Sequence, residues 1–211
     1  MYLKIRLLII AVLFLASVTT LAPNIVLAAN LRCEEDSPCT GTNDKDNIIL
    51  LESFPPGKIV FAGSGNDNMV GNSEWNFMSG DNDNDVIDGK GGCDSITGGP
   101  GNDIVKGGPG NDSPSDCLGF AGGGGVFGAT GDDILSGDDG NDLVRGGSGS
   151  DLVKGGKGND LLFHGILARD FTEPDFAKDT ISCGPGDDTA VINVSTDGDV
   201  AASDCETVIA G

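Results

Sequence analysis

Nine aspartates recur at a fixed spacing in this chain. Asp67, Asp85, Asp94, Asp103 and Asp112 form one run, and Asp133, Asp142, Asp151 and Asp160 a second. The step is nine residues, and Asn76 stands where it would place a further carboxylate in the first run. An apolar residue follows two positions after most of them: Met69, Ile87, Ile96 and Val105, then Leu135, Val144, Val153 and Leu162. So many equivalent carboxylates carry no signal for acid–base catalysis by one chosen pair. Held at one period among glycines, they suit a hard cation such as calcium, which takes roughly six to eight oxygens from carboxylates and carbonyls together.

The glycines share the period. With position 1 set at Gly98, the phrase GGPGNDIVK puts glycine at positions 1, 2 and 4, aspartate at 6 and an aliphatic residue at 8, and it starts again at Gly107. The same slots hold Gly89, with Gly91 one place off at position 3, then Gly98, Gly99 and Gly101, then Gly107, Gly108 and Gly110. In the second run they hold Gly137 and Gly140, then Gly146, Gly147 and Gly149, then Gly155, Gly156 and Gly158. Glycine allows backbone conformations that turn carbonyls toward a common point. Pro100, Pro109 and Pro185 at position 3 fix a turn and keep their carbonyls. Each unit is therefore a six-residue turn followed by a three-residue strand with one inward side chain.

One such unit buries nothing, but a stack of them does. Two nonapeptides per coil would place aspartates of frames n and n+2 on one edge. Their charges would repel across the gap unless a cation lies between them. The fold class is therefore all-β, a parallel β-roll or solenoid of nonapeptides with disulfide-stapled ends. The chain divides into a signal segment (1–28), an N-terminal cap with a first divergent repeat (29–60), a first block (61–115), an insertion (116–127), a second block (128–163), an insertion (164–173) and divergent terminal repeats with a C-terminal cap (174–211). The first insertion leaves Pro114 in an apolar slot, and the two insertions leave room for two short stacks instead of one. Further frames are recognisable at Asp46, Asp179 and Asp188.

These residues resemble the calcium-binding RTX, or hemolysin-type, nonapeptide family, with consensus G-G-x-G-x-D-x-(large aliphatic)-x. The resemblance implies calcium between successive turns on each edge. The paired aspartates would be Asp67 with Asp85, Asp85 with Asp103, Asp94 with Asp112, Asp133 with Asp151, and Asp142 with Asp160. Carbonyls of positions 1 to 4 would complete each site. The C-terminal segment also resembles the tail of secreted members, in which Cys183 and Cys205 would staple the last coil. Many members carry such repeats behind a catalytic domain, and almost nothing outside the repeats here is long enough to be one.

Composition agrees with this reading. The chain of 211 residues carries 33 acids against 12 bases, a net charge of −21. That charge argues against nucleic acid or anionic lipid as partner and for cations. Lys4 and Arg6, the apolar run Leu7–Val18 and small residues before Ala29 form the three parts of a secretory signal peptide. No later apolar run is long enough to span a membrane. The six cysteines of an exported chain suggest disulfides, and proximity favours Cys33–Cys39, Cys93–Cys117 and Cys183–Cys205. Zinc is disfavoured, because there is no C-x₂-C pair and His164 is the only histidine. That histidine reads as a solvated loop residue, Trp75 and Phe77 as a packed or capping patch, and 164–173 as a short helix or contact loop.

Neither H-E-x-x-H nor G-x-S-x-G is present, so protease and serine-hydrolase readings have no support. The leading function is an exported, non-enzymatic calcium-binding roll with a structural role, or a role contacting cell-surface or matrix components, and with folding coupled to calcium. The alternative is an accessory calcium-binding module for a partner toxin or enzyme. A flat-faced binder of ice or polysaccharide would need regular Thr or polar ranks at positions 7 and 9, which are absent.

Overall fold

The computed structural model describes residues 29–31, 38–50, 57–114, 124–165, 177–192 and 198–210. The signal segment, Cys33, Cys117 and most of the 164–173 insertion lie outside these residues. Every regular element among them is a β-strand. No helix among them is long and apolar enough to cross a membrane.

The strands alternate between two parallel nine-stranded sheets. The first sheet runs β1 (Ala29–Leu31), β3 (Asp46–Ile49), β5 (Asn68–Val70), β7 (Val86–Asp88), β9 (Ile104–Lys106), β11 (Ile134–Asp139), β13 (Leu152–Lys157), β15 (Thr180–Ser182) and β17 (Val200–Ala201). The second runs β2 (Cys39–Thr40), β4 (Lys58–Ser64), β6 (Asn76–Asn82), β8 (Ser95–Pro100), β10 (Gly125–Thr130), β12 (Leu143–Ser148), β14 (Leu161–Phe163), β16 (Thr189–Ile192) and β18 (Thr207–Ala210). Each strand pairs with the strand two further along the chain, so two nonapeptides make one coil of a parallel β-solenoid.

Register follows the position-8 residues. In the first sheet Ile48, Met69, Ile87, Val105, Leu135, Val153 and Ile181 lie in line. In the second, Val60, Met78, Ile96, Val126, Val144, Leu162 and Ala190 do the same. All are buried and form one continuous core. Each contributes about 1.5–3 kcal/mol of apolar burial, or somewhat less for alanine. With one or two inward apolar residues per strand, a coil has no core except the one its neighbours complete.

The stack is single rather than double, because the sheets run through both insertions. Val126 pairs with Ile96 and Ile134 pairs with Ile104, as Ile181 pairs with Val153. The register also moves the first interruption. The unit that contains Asp112 takes Val126, not Pro114, as its inward residue, because β10 sits between β8 and β12. The extra residues therefore lie between Asp112 and Gly125, inside one repeat. A turn can lengthen there without disturbing the rung before it or the strand after it.

Cys183 and Cys205 form a disulfide with Cα atoms 5.1 Å apart. Cys39 and Cys93 are also disulfide-bonded; the pairings expected for them fall on Cys33 and Cys117, outside the described residues. Trp75 packs over Gly57, and the Phe77 ring lies 5.8 Å from that of Phe61.

Candidate metal centre

The position-6 aspartates lie at the two edges of the roll, where each turn enters its strand. On one edge stand Asp46, Asp67, Asp85, Asp103, Asp133, Asp151, Asp179 and Asp199. On the other stand Asn76, Asp94, Asp112, Asp142, Asp160 and Asp188. All of these aspartates are buried, none more than 5% exposed. A solvated acidic face is thereby excluded.

Asp46 accepts from Thr42 on its Oδ2; from Asp67 onward the carboxylates divide their oxygens between two tasks. Oδ1 accepts the backbone N–H of the aspartate one coil earlier: Asp67 N–H to Asp85 Oδ1 at 2.8 Å, Asp85 to Asp103 at 2.8 Å, Asp94 to Asp112 at 2.6 Å. The ladder crosses the first insertion unbroken, Asp103 to Asp133 at 2.7 Å and Asp112 to Asp142 at 2.8 Å. It crosses the second as well, Asp151 to Asp179 and Asp160 to Asp188, both at 2.7 Å. The other oxygen, Oδ2, is buried with no hydrogen-bond partner in Asp67, Asp85, Asp94, Asp103, Asp112, Asp133, Asp142, Asp160 and Asp188. A buried ionised oxygen without a partner is costly, so a repeated row of them calls for a compensating positive charge.

The position-1 glycines show where that oxygen points. A Cβ added to Gly80, Gly98, Gly107, Gly128 or Gly137 would run into the Oδ2 of the aspartate five residues on. At Gly80, Gly107, Gly128 and Gly137 it would also meet the position-1 carbonyl of the following coil. A carboxylate oxygen and a carbonyl oxygen from adjacent coils thus converge on one small space. Glycines at positions 2 and 4, such as Gly99 and Gly101 with φ of 116° and 154°, take backbone shapes that side chains resist. Their Cα atoms sit against the position-2 and position-4 carbonyls of Asp81 and Asp83 in the coil before. The position-1 carbonyls therefore lie beside the aspartates, and those of positions 2 and 4 lie between adjacent coils.

The electrostatics agree. Burial pushes the Asp94 carboxyl up to about 9, with the Asp112 charge adding to it. Burial likewise raises Asp85, Asp112, Asp133, Asp142 and Asp160 to about 7 and Asp103 to about 6, against the hydrogen bond each accepts from the preceding coil. Neighbouring aspartates add repulsion in several of these: Asp103 and Asp67 act on Asp85, and Asp112 on Asp142. Burial between the coils favours protonated carboxyls, and a divalent cation would answer the same electrostatic demand.

Residues 79–114 and 127–162 match the RTX calcium-binding nonapeptide repeat, in four copies. These two segments are RTX calcium-binding repeats. Neither a curated protein nor a solved structure matches it at a significant level. The two matched segments coincide with the densest part of the ladder, and RTX repeats of this kind bind calcium. The aspartate ladder continues beyond the matched residues on both sides, through Asp46 and Asp67 before them and Asp179, Asp188 and Asp199 after.

Several features of these edges escape a reading by period alone. Asp199 and Glu206 act as terminal rungs: Asp179 N–H donates to Asp199 Oδ1 at 3.0 Å and Asp188 N–H to Glu206 Oε2 at 2.9 Å. Position 5 carries a second, outer ladder, in which Asn84 Oδ1 accepts from Asn102 N–H at 2.8 Å and Asn141 Oδ1 from Asn159 N–H at 2.8 Å. Its sequence signal is the Asn that precedes so many of the aspartates. His164 corrects an expectation. It is not a solvated loop residue; its side chain is 19% exposed and faces Asp179 and Asp199.

Proposed function

We propose that this chain is an exported, calcium-loaded β-roll with a structural or surface-interaction role and no catalysis of its own. The observation that carries the reading is the row of buried Oδ2 atoms aimed at position-1 glycines. Asp67, Asp85, Asp94, Asp103, Asp112, Asp133, Asp142, Asp151 and Asp160 would supply carboxylate oxygens. Carbonyls of the position-1 to position-4 glycines around them would complete several sites. Bound calcium would supply the positive charge that lets neighbouring carboxylates stay ionised while buried.

The chain's own residues do the rest. Oδ1 of each aspartate ties one coil to the next, and the position-8 ranks exclude water from the interior. Folding then requires the ion, since the same acids repel one another without it. Site affinities of extracellular modules, on the order of 10⁻⁴–10⁻³ M, would hold the chain loose in a low-calcium compartment and close it outside. The disulfides support export. The outward rank of Val86, Ile104 and Ile134, all exposed, supports contact with another surface.

The test is far-UV circular dichroism of the oxidised chain, stripped with EDTA and titrated with calcium, with magnesium as control. A coil-to-β transition specific to calcium is expected. A β spectrum indifferent to EDTA would mean that packing and disulfides hold the roll and calcium is secondary. Persistent coil at saturating calcium would overturn the reading.

A further inference from the structure

One rung of the roll differs in its chemistry. In the second sheet the register runs from Gly128 to Gly146 to His164 at position 1: Gly147 N–H donates to His164 O at 2.9 Å, and a Cβ on Gly146 would meet that same carbonyl. His164 therefore occupies a slot that is glycine at Gly98, Gly107, Gly128, Gly137, Gly146 and Gly155. At the glycine rungs a Cβ in this slot would meet the Oδ2 of an edge carboxylate. The imidazole Nδ1 lies 3.1 Å from Asp199 Oδ2 and 3.6 Å from Asp179 Oδ2. The three ligand atoms lie within 4.8 Å of one another, and both carboxylate side chains are fully buried.

We propose that His164, Asp179 and Asp199 form a site for a first-row transition metal, with zinc as the metal expected, distinct from the oxygen-only sites of the other rungs. Imidazole nitrogen is a poor ligand for calcium and a good one for zinc, cobalt or copper. Ligand atoms at about 2.0–2.2 Å from one tetrahedral zinc stand roughly 3.3–3.6 Å apart, close to the two separations found here. Outer contacts hold the ligands in place. Asp179 Oδ1 accepts from Asp151 N–H at 2.7 Å, Asp199 Oδ1 accepts from Asp179 N–H at 3.0 Å, and His164 N–H donates to Val191 O at 3.2 Å. Such contacts orient ligands and raise affinity. Three protein ligands leave a coordination position for water, reached from the exposed edge of the imidazole. Binding displaces the proton that a hydrogen-bonded Nδ1 would carry.

The site does not depend on how many calcium ions the other rungs take, and its test is kept separate from them. The untagged, oxidised chain is held in millimolar calcium, with circular dichroism confirming the fold, and titrated with cobalt(II). One equivalent of cobalt is expected to give the visible absorption of a four-coordinate nitrogen–oxygen site, which one equivalent of zinc removes and added calcium does not. His164→Gly restores the residue found at equivalent rungs and preserves the fold. It should weaken cobalt binding by more than about 100-fold, with Asp199→Asn acting in the same direction. No cobalt absorption and no zinc uptake by the folded wild-type chain would overturn the proposal and leave a hydrogen-bonded histidine only. Undiminished binding in His164→Gly would also overturn it, by placing the metal on the other carboxylates.

Discussion

Asn76 and Asp94 are consecutive rungs of one edge, built on the same turn, and they solve the same burial problem differently. Asn76 donates its backbone N–H to Asp94 Oδ1 at 2.7 Å. Its side chain closes on Asn72, accepting the Asn72 N–H at 3.0 Å and donating to Asn72 Oδ1 at 3.1 Å. A neutral amide thus satisfies itself with local partners. Asp94 takes the Asn76 N–H on one oxygen and holds the other buried with no hydrogen bond. The turn therefore forms without a charge, and the carboxylates at the other rungs are not needed for backbone geometry alone. What the charge adds is a ligand.

The largest test of that contrast is removal of calcium at neutral pH. The β signal should collapse cooperatively along the aspartate edges, read by circular dichroism; retention would mean the carboxylates resemble Asn76 more than the structure indicates. Acidification comes next. The folded-state values of about 6 to 9 lie above the ordinary aspartate value of 3.8. The calcium-free fold therefore binds more protons than the unfolded chain, is most stable at acid pH, and loses that stability as pH rises through about 6 to 9. Calcium needs the ionised form, so the calcium-loaded chain should show the opposite trend, and thermal melts across pH with and without calcium should cross.

Ile96→Ala separates core from edge. It should cost about 2–5 kcal/mol in denaturant melts while leaving calcium stoichiometry unchanged, although Ile96 stands two residues from Asp94. Asn76→Asp sharpens the comparison directly. It should add one calcium by titration calorimetry and lower stability when calcium is absent. The smallest effect is expected from Ala129→Gly. Ala129 holds φ at 95° in a slot where equivalent residues are mostly glycine, so relief should raise stability by about 1 kcal/mol.

The repeat was legible wherever its period held. Asp103 and Val105 announce turn and strand in one phrase, and two units per coil follow from frames n and n+2 sharing an edge. The phase was lost where a turn was lengthened inside a unit. Pro114 stands at the expected distance from Asp112, yet Val126 fills the slot, because the core selects an aliphatic side chain in register rather than a count of residues. His164 was hidden for a related reason: a frame recognised by its glycine cannot be seen where the glycine has been replaced. The structural half of each aspartate, its Oδ1 bond to the coil before, leaves no trace in spacing, since ligation and bracing ask for the same residue.

The interruption between Asp112 and Gly125 carries a final consequence. The rungs on either side keep their bonds, Asp94 to Asp112 and Asp112 to Asp142, although twelve residues intervene before the strand resumes. The roll thus works as a rail with docking points, on which segments can be hung at a turn without altering the track. The number of residues between two rungs can therefore change while the file of charges keeps its spacing.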